Sequence, residues 1–112
     1  MDVDGVLTDG SLFFGNNKEE LKAFNIRDGL GIKWLQNAGI TTAIITGRVS
    51  NLVQNRADNL GIHHVVQGRE DKRVALTEAC EKLGFELEET AYIGDDVQDL
   101  SAIRAAGLGC TV

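Results

Sequence analysis

A three-layer α/β fold, a parallel sheet with helices on both faces, is what this sequence predicts. Two observations carry the expectation. From Thr41 onward, short β-branched and apolar runs alternate with helical patterns, and that rhythm builds a parallel sheet covered on both faces. The chain also has 112 residues with no proline, no repeat and no low-complexity tract. It therefore reads as a single domain over residues 1–112, with no internal boundary.

Taken in order, the elements begin with a hairpin over about 12–24. Leu12-Phe13-Phe14 and Leu21-Lys22-Ala23-Phe24 flank the turn Gly15-Asn16-Asn17. A helix follows from about Gly29 to Asn37, with Asp28 as its N-cap and Gly39 beyond its end. Thr41-Thr42-Ala43-Ile44-Ile45 is a run of the kind buried on both faces of a sheet. Ser50 opens a helix carrying Leu52, Val53, Ala57 and Leu60, which Gly61 stops. His64-Val65-Val66 is a short strand, and Asp71 opens the helix of Val74, Ala75, Ala79 and Leu83. Thr90 to Ile93 is a strand, Asp96 to Ala106 a helix, and Gly109 to Val112 the last strand.

Composition narrows the function. Eleven Lys and Arg against seventeen Asp and Glu give a net charge of -6, which argues against a nucleic-acid binder, since those need a basic face. No apolar run approaches the roughly 20 residues that span a bilayer, and the start Met1-Asp2-Val3-Asp4 is acidic where a signal peptide is basic. The expectation is a soluble, cytoplasmic protein without membrane partners. Cys80 and Cys110 read as small buried hydrophobes in a reducing compartment rather than as a disulfide. His63 and His64 are adjacent, so a strand would point them to opposite faces, and they are given no catalytic role.

In open parallel sheets the ligand site lies beyond the carboxyl ends of the strands. Asp2 and Asp4 stand after the first element, Thr46-Gly47-Arg48 after the second, Asp71-Lys72 after the third, and Gly94-Asp95-Asp96 with Asp99 after the fourth. In an extended chain Asp2 and Asp4 share a face, and with Asp95 they form a carboxylate cluster that repels itself unless a cation sits in it. A hard divalent ion, Mg2+ first, is the natural occupant. With Lys72, the Thr46 hydroxyl and backbone N–H groups near Gly47, such a site is shaped for a phosphoryl group. One carboxylate can serve as nucleophile, and a second can protonate the leaving alcohol and then deprotonate water.

At these residues the sequence resembles the haloacid dehalogenase (HAD) superfamily of phosphotransferases. Asp2-Val3-Asp4-Gly5-Val6, Thr46, Lys72, and Gly94-Asp95-Asp96 with Asp99 match its four motifs in order. Within it, Asp4-Gly-Val-Leu-Thr-Asp-Gly10, Lys22-Ala-Phe-Asn-Ile-Arg-Asp-Gly-Leu-Gly-Ile32, Ile45-Thr-Gly-Arg48, Gln67-Gly68, Asp71-Lys72 and Tyr92-Ile-Gly-Asp-Asp96 resemble the 3-deoxy-D-manno-octulosonate 8-phosphate (KDO 8-phosphate) phosphatases. The resemblance implies a capless, HAD-like Rossmannoid hydrolase of lipopolysaccharide synthesis, usually a homotetramer in which the hairpin of one subunit covers its neighbour's active site. It implies Asp2 as nucleophile and Asp4 as general acid/base. It further implies Mg2+ on Asp2, the Asp4 carbonyl and Asp95, phosphate binding by Thr46, Gly47 and Lys72, and Asp96 and Asp99 orienting metal-bound waters or Lys72 from behind. Arg48 is the candidate for contacting the sugar acid.

The sequence departs from that family at both ends. Motif one there follows four or five apolar residues, where only Met1 precedes Asp2, and the family continues past Val112 into a further strand-helix region and a glycine-rich tail. The expectation is a truncated version. Three other readings compete. A phosphatase for a nonulosonate 9-phosphate would differ around Arg48, Phe13 and Phe14. A receiver domain of bacterial signalling would place its lysine after the last strand, whereas Lys72 precedes the final acidic pair. A non-catalytic oligomerisation module would have no need of Asp2, Asp4, Thr46, Lys72 and Asp95.

Overall fold

The computed structural model describes residues 1–112. A two-stranded antiparallel hairpin comes first, β1 (Phe13–Phe14) and β2 (Glu20–Leu21), in the register Phe13 to Leu21 and Phe14 to Glu20. Then follow α1 (Ile26–Asn37), β3 (Ala43–Ile45), α2 (Asn51–Leu60), β4 (His64–Val66), α3 (Lys72–Leu83), β5 (Ala91–Gly94), α4 (Leu100–Ala105) and β6 (Leu108–Thr111). β3 pairs with β4 and β5 with β6, both parallel. Met1 and Asp2 join the two pairs. The Met1 nitrogen donates to Ala43 O (3.1 Å), Ile45 N–H to Met1 O (3.0 Å) and Asp2 N–H to Ile93 O (3.0 Å). Below Met1 the gap between β3 and β5 opens into an apolar cleft of about 470 Å³, lined by Leu35, Ile40, Leu76, Leu83 and Phe85 among others.

Alternation along β3 divides the core. Ile44 packs with Val3, Ile32, Val53, Ala57, Leu60 and Ile62 on the side of α1 and α2. Its neighbour Ile45 packs with Ala75, Leu76, Cys80, Tyr92 and Ala102 on the side of α3 and α4. Successive residues of a strand face opposite ways, so two consecutive isoleucines feed two cores and fix the three layers. Cys80 is one of those core residues, and both cysteines are free. No helix is long and apolar enough to cross a membrane.

Several elements differ from the sequence expectation in detail. The first long helix starts a turn earlier: Asn25, not Asp28, is its N-cap, accepting from Arg27 N–H at 2.8 Å. Gly29, with the poor helix propensity of glycine, is instead an interior residue, buried in α1. Asp71 sits at the N-cap of α3 without capping it, because Arg69 takes both carboxylate oxygens at 2.6 and 2.8 Å. The predicted helix from Asp96 begins as a 3-10 turn over Val97–Asp99 before α4. The hairpin strands and β3 are shorter than the apolar runs that announced them, whereas β4 spans His64–Val66 as expected and β5 and β6 are each displaced by one residue.

Candidate active site

The first acidic loop is bent rather than extended. Val3 O accepts the N–H groups of Val6, Leu7 and Thr8 at 3.1, 2.8 and 3.2 Å, so the chain turns immediately after Asp2. Asp2 and Asp4 therefore do not sit side by side on a strand as expected from their spacing. Gly5 makes the bend possible. Its φ is +84°, and an added Cβ would lie 2.0 Å from Asp95 Oδ2, so the loop meets the end of β5 at the closest approach a backbone permits.

Asp2 is aimed at Lys72. One carboxylate oxygen accepts Val3 N–H at 2.7 Å and the other lies 3.0 Å from Lys72 Nζ. Lys72, 1% exposed, also donates to Asp99 Oδ1 (3.0 Å) and Ile45 O (3.1 Å). Asp99, 0% exposed, accepts the Tyr92 hydroxyl at 2.8 Å on the same oxygen. Its other oxygen takes the N–H groups of Asp95 and Asp96 at 3.2 and 3.3 Å. Burial works against the charge of Asp99, but the bonds from Lys72 and Tyr92 outweigh it and hold the carboxyl below its usual range. The same surroundings push the Tyr92 hydroxyl up, first by burial and then through its bond to Asp99. Gly94 completes this packing, since a Cβ there would fall 2.4 Å from Asp99 Cβ.

The carboxylates brought together are Asp2, Asp95 and Asp99, with an oxygen of each within 4.8 Å of the others. This is not the trio Asp2, Asp4 and Asp95 drawn from spacing. The Asp4 side chain turns away to Lys22 and stands 3.8 Å from Arg48 Nε. Lys72 is the cation that touches Asp2 and Asp99. Asp95 takes part in no ion pair, and burial followed by the charges of Asp2, Asp99 and Asp96 pushes its carboxyl up. A cluster of hard oxygen donors short of positive charge fits a Mg2+ ion.

The other predicted residues line the same edge. Thr46, 2% exposed, is fixed by its N–H on Val66 O (2.9 Å) and by Arg69 N–H on its carbonyl (3.1 Å). Gly47 faces Gln98 of the 3-10 turn and Glu70, with 3.7 and 3.9 Å to its ideal Cβ position. Arg48 reaches across to the hairpin, where Nη2 donates to Glu20 Oε1 at 3.0 Å. Asp96 stands apart from Lys72 and accepts Val97 N–H at 2.6 Å as the cap of the turn.

Three residues of this constellation had no role assigned from sequence: Tyr92, Lys22 and Glu20. Tyr92 lies in a strand whose burial was legible, but its hydroxyl partner Asp99, seven residues further along the chain, was not. Glu20 and Lys22 carried one usable signal, since residues two apart on a strand share a face.

Residues 30–107 match the family model described as haloacid dehalogenase-like hydrolase. The 3-deoxy-D-manno-octulosonate 8-phosphate phosphatase KdsC of Escherichia coli (strain K12) is 48% identical over 112 residues, all of this chain and 60% of that protein. The Yersinia pestis KdsC is 50% identical over 99% of this chain and 59% of its own length. This chain thus spans about 60% of the length of the curated relatives it matches. Among solved structures, the Moraxella catarrhalis 3-deoxy-D-manno-octulosonate 8-phosphate phosphatase, in complex with magnesium, phosphate and KDO, superposes with a TM-score of 0.97 at 51% identity, covering 99% of this chain and 64% of that one.

Proposed function

The chain belongs to the haloacid dehalogenase-like hydrolases, and from that premise we propose that it carries the catalytic centre of a Mg2+-dependent phosphomonoesterase acting on KDO 8-phosphate. The observation that carries this reading is the Asp2 carboxylate, held 3.0 Å from a buried Lys72 and beside Asp95 and Asp99. Asp2 attacks phosphorus, and the ester P–O bond breaks as Asp4 gives its proton to the leaving alkoxide. Asp4 then takes a proton from water, which attacks the aspartyl-phosphate, releases phosphate and restores Asp2. Thr46, Gly47 N–H and Lys72 hold the phosphoryl oxygens, while Asp99, itself fixed by the Tyr92 hydroxyl, holds Lys72. Asp2, Asp95 and the Asp4 carbonyl would hold Mg2+, which would supply positive charge where negative charge collects on the transferring group. Asp96 fixes the turn that follows Asp95 by accepting Val97 N–H, and Arg48 takes the acid end of the sugar.

The choice of substrate is supported by relatives of 48–50% identity named as phosphatases of this octulosonate phosphate. A homotetramer of single-domain subunits fits the hairpin, whose Phe13, Phe14 and Leu21 are 55%, 65% and 63% exposed. An apolar patch of that kind marks a contact surface, here onto a neighbouring subunit's site. The test is phosphate release from KDO 8-phosphate and from a nonulosonate 9-phosphate, with Mg2+ and with chelator. Metal-dependent release favouring the octulosonate is expected. Preference for the nonulosonate would overturn the substrate, and release in chelator would overturn the metal.

A further inference from the structure

We propose that Lys22, carried by the hairpin, is a positioning residue for Asp4, occupying one carboxylate oxygen and leaving the other to work on the leaving group and on water. The proposal rests on the acid/base role of Asp4 given above. Lys22 Nζ donates to Asp4 Oδ1, and its side chain is fully buried, 0% exposed. A buried ammonium is costly unless paired, and besides Asp4 its one anionic neighbour is Glu20 at 3.8 Å. Asp4 Oδ2 has only Arg48 Nε near it, at 3.8 Å, which is beyond hydrogen-bond length. The two oxygens are thus sorted, one tied and one free.

The hairpin is built to deliver this contact. Glu20 and Lys22, two apart, face the site, while Leu21 between them is 63% exposed. Glu20 binds Arg48 at 3.0 Å, so Asp4, Lys22, Glu20 and Arg48 close a ring of alternating charge joining the hairpin to two catalytic loops. Just beyond Lys22, Phe24 packs against the core. Arg56 of α2 lies 5.7 Å from its ring centroid and donates to Asn25 O at 3.3 Å. Lys22 therefore reaches Asp4 from an anchored base, which is what a proton donor needing fixed geometry requires.

The test compares kcat/KM on an alkyl phosphate, whose alkoxide needs a proton to leave, with p-nitrophenyl phosphate, whose phenolate does not. Asp4→Asn and Lys22→Met should both lose about 100-fold on the alkyl ester and less than about 3-fold on the aryl ester. Equal losses on both esters for Lys22→Met, with Asp4→Asn still discriminating, would overturn the positioning role while leaving the proposed function in place. No discrimination by Asp4→Asn would remove the acid role and the Lys22 proposal with it. Amine acylation read by peptide mass spectrometry tests the pairing without turnover. Lys22 should be slow to react in the native chain and several-fold faster in Asp4→Asn, and an unchanged rate would overturn the proposal.

Discussion

Removing the buried cation should destabilise the fold in a way that depends on pH. In Lys72→Met, Asp99 stays 0% exposed but keeps only the Tyr92 hydroxyl and two backbone N–H groups as partners. Asp2 loses its partner at 3.0 Å, and the Ile45 carbonyl loses a donor at 3.1 Å. Breaking a buried pair from one side costs about 3–5 kcal/mol, and the orphaned carbonyl adds roughly 1 kcal/mol. Methionine escapes the desolvation cost of the ammonium, which offsets part of this and leaves a net loss near 3 kcal/mol at pH 7. That is a large share of the roughly 5–15 kcal/mol of a domain.

The sign with pH follows from Asp99. In the native chain its carboxyl is held below the unfolded value. Its contribution is therefore complete above about pH 4, the ordinary carboxylate range, and is lost as pH falls through the folded value. Without Lys72 the same carboxyl moves above its unfolded value, so ionising it is penalised and the penalty shrinks on acidification. Urea unfolding followed by circular dichroism should show a larger gap between variant and native chain at pH 7 than at about pH 4.5. A gap under about 1 kcal/mol, or one equal at both pH values, would refute a buried ion pair as the support of this site.

Asp95→Asn should stabilise the metal-free chain by a few tenths of a kcal/mol, since it relieves repulsion at a solvent-screened position, and should abolish any rise in melting temperature with Mg2+. Thermal melts with and without the ion check both signs. Gly94→Ala places a methyl 2.4 Å from Asp99 Cβ, so a loss of about 1–3 kcal/mol is expected from overpacking, read by the urea midpoint. If Phe13 and Phe14 hold the proposed homotetramer together, replacing both with Ser should lower the sedimenting mass to that of a monomer while leaving the unfolding midpoint of the subunit in place.

What could be read from sequence was what local chemistry controls. Ser50 caps α2 through Leu52 N–H at 3.3 Å and Gly61 ends it at a φ of +68°, because cap and stop are decided within a few residues. The motif residues at successive strand ends were legible for the same reason that the alternation was. What escaped depends on partners distant in sequence. Asp71 looked like a cap until Arg69 and Glu78 formed a surface cluster around it. Asp4 looked like a neighbour of Asp2 until the turn at Val3 sent it to Lys22, eighteen residues away. Tyr92 and Asp99 show the limit most clearly: each lies in a segment named from sequence, yet their bond exists only because the strand and the following turn fold back on each other.

The most direct measurement is to turn over KDO 8-phosphate labelled with radioactive phosphorus in the presence of Mg2+, quench in acid and map the label on the chain. A hydroxylamine-labile phosphate on Asp2 is expected, absent in Asp2→Asn, whose unfolding midpoint should remain close to that of the native chain. Phosphate release with no label on Asp2, or release undiminished in Asp2→Asn, would contradict a covalent mechanism centred on that carboxylate.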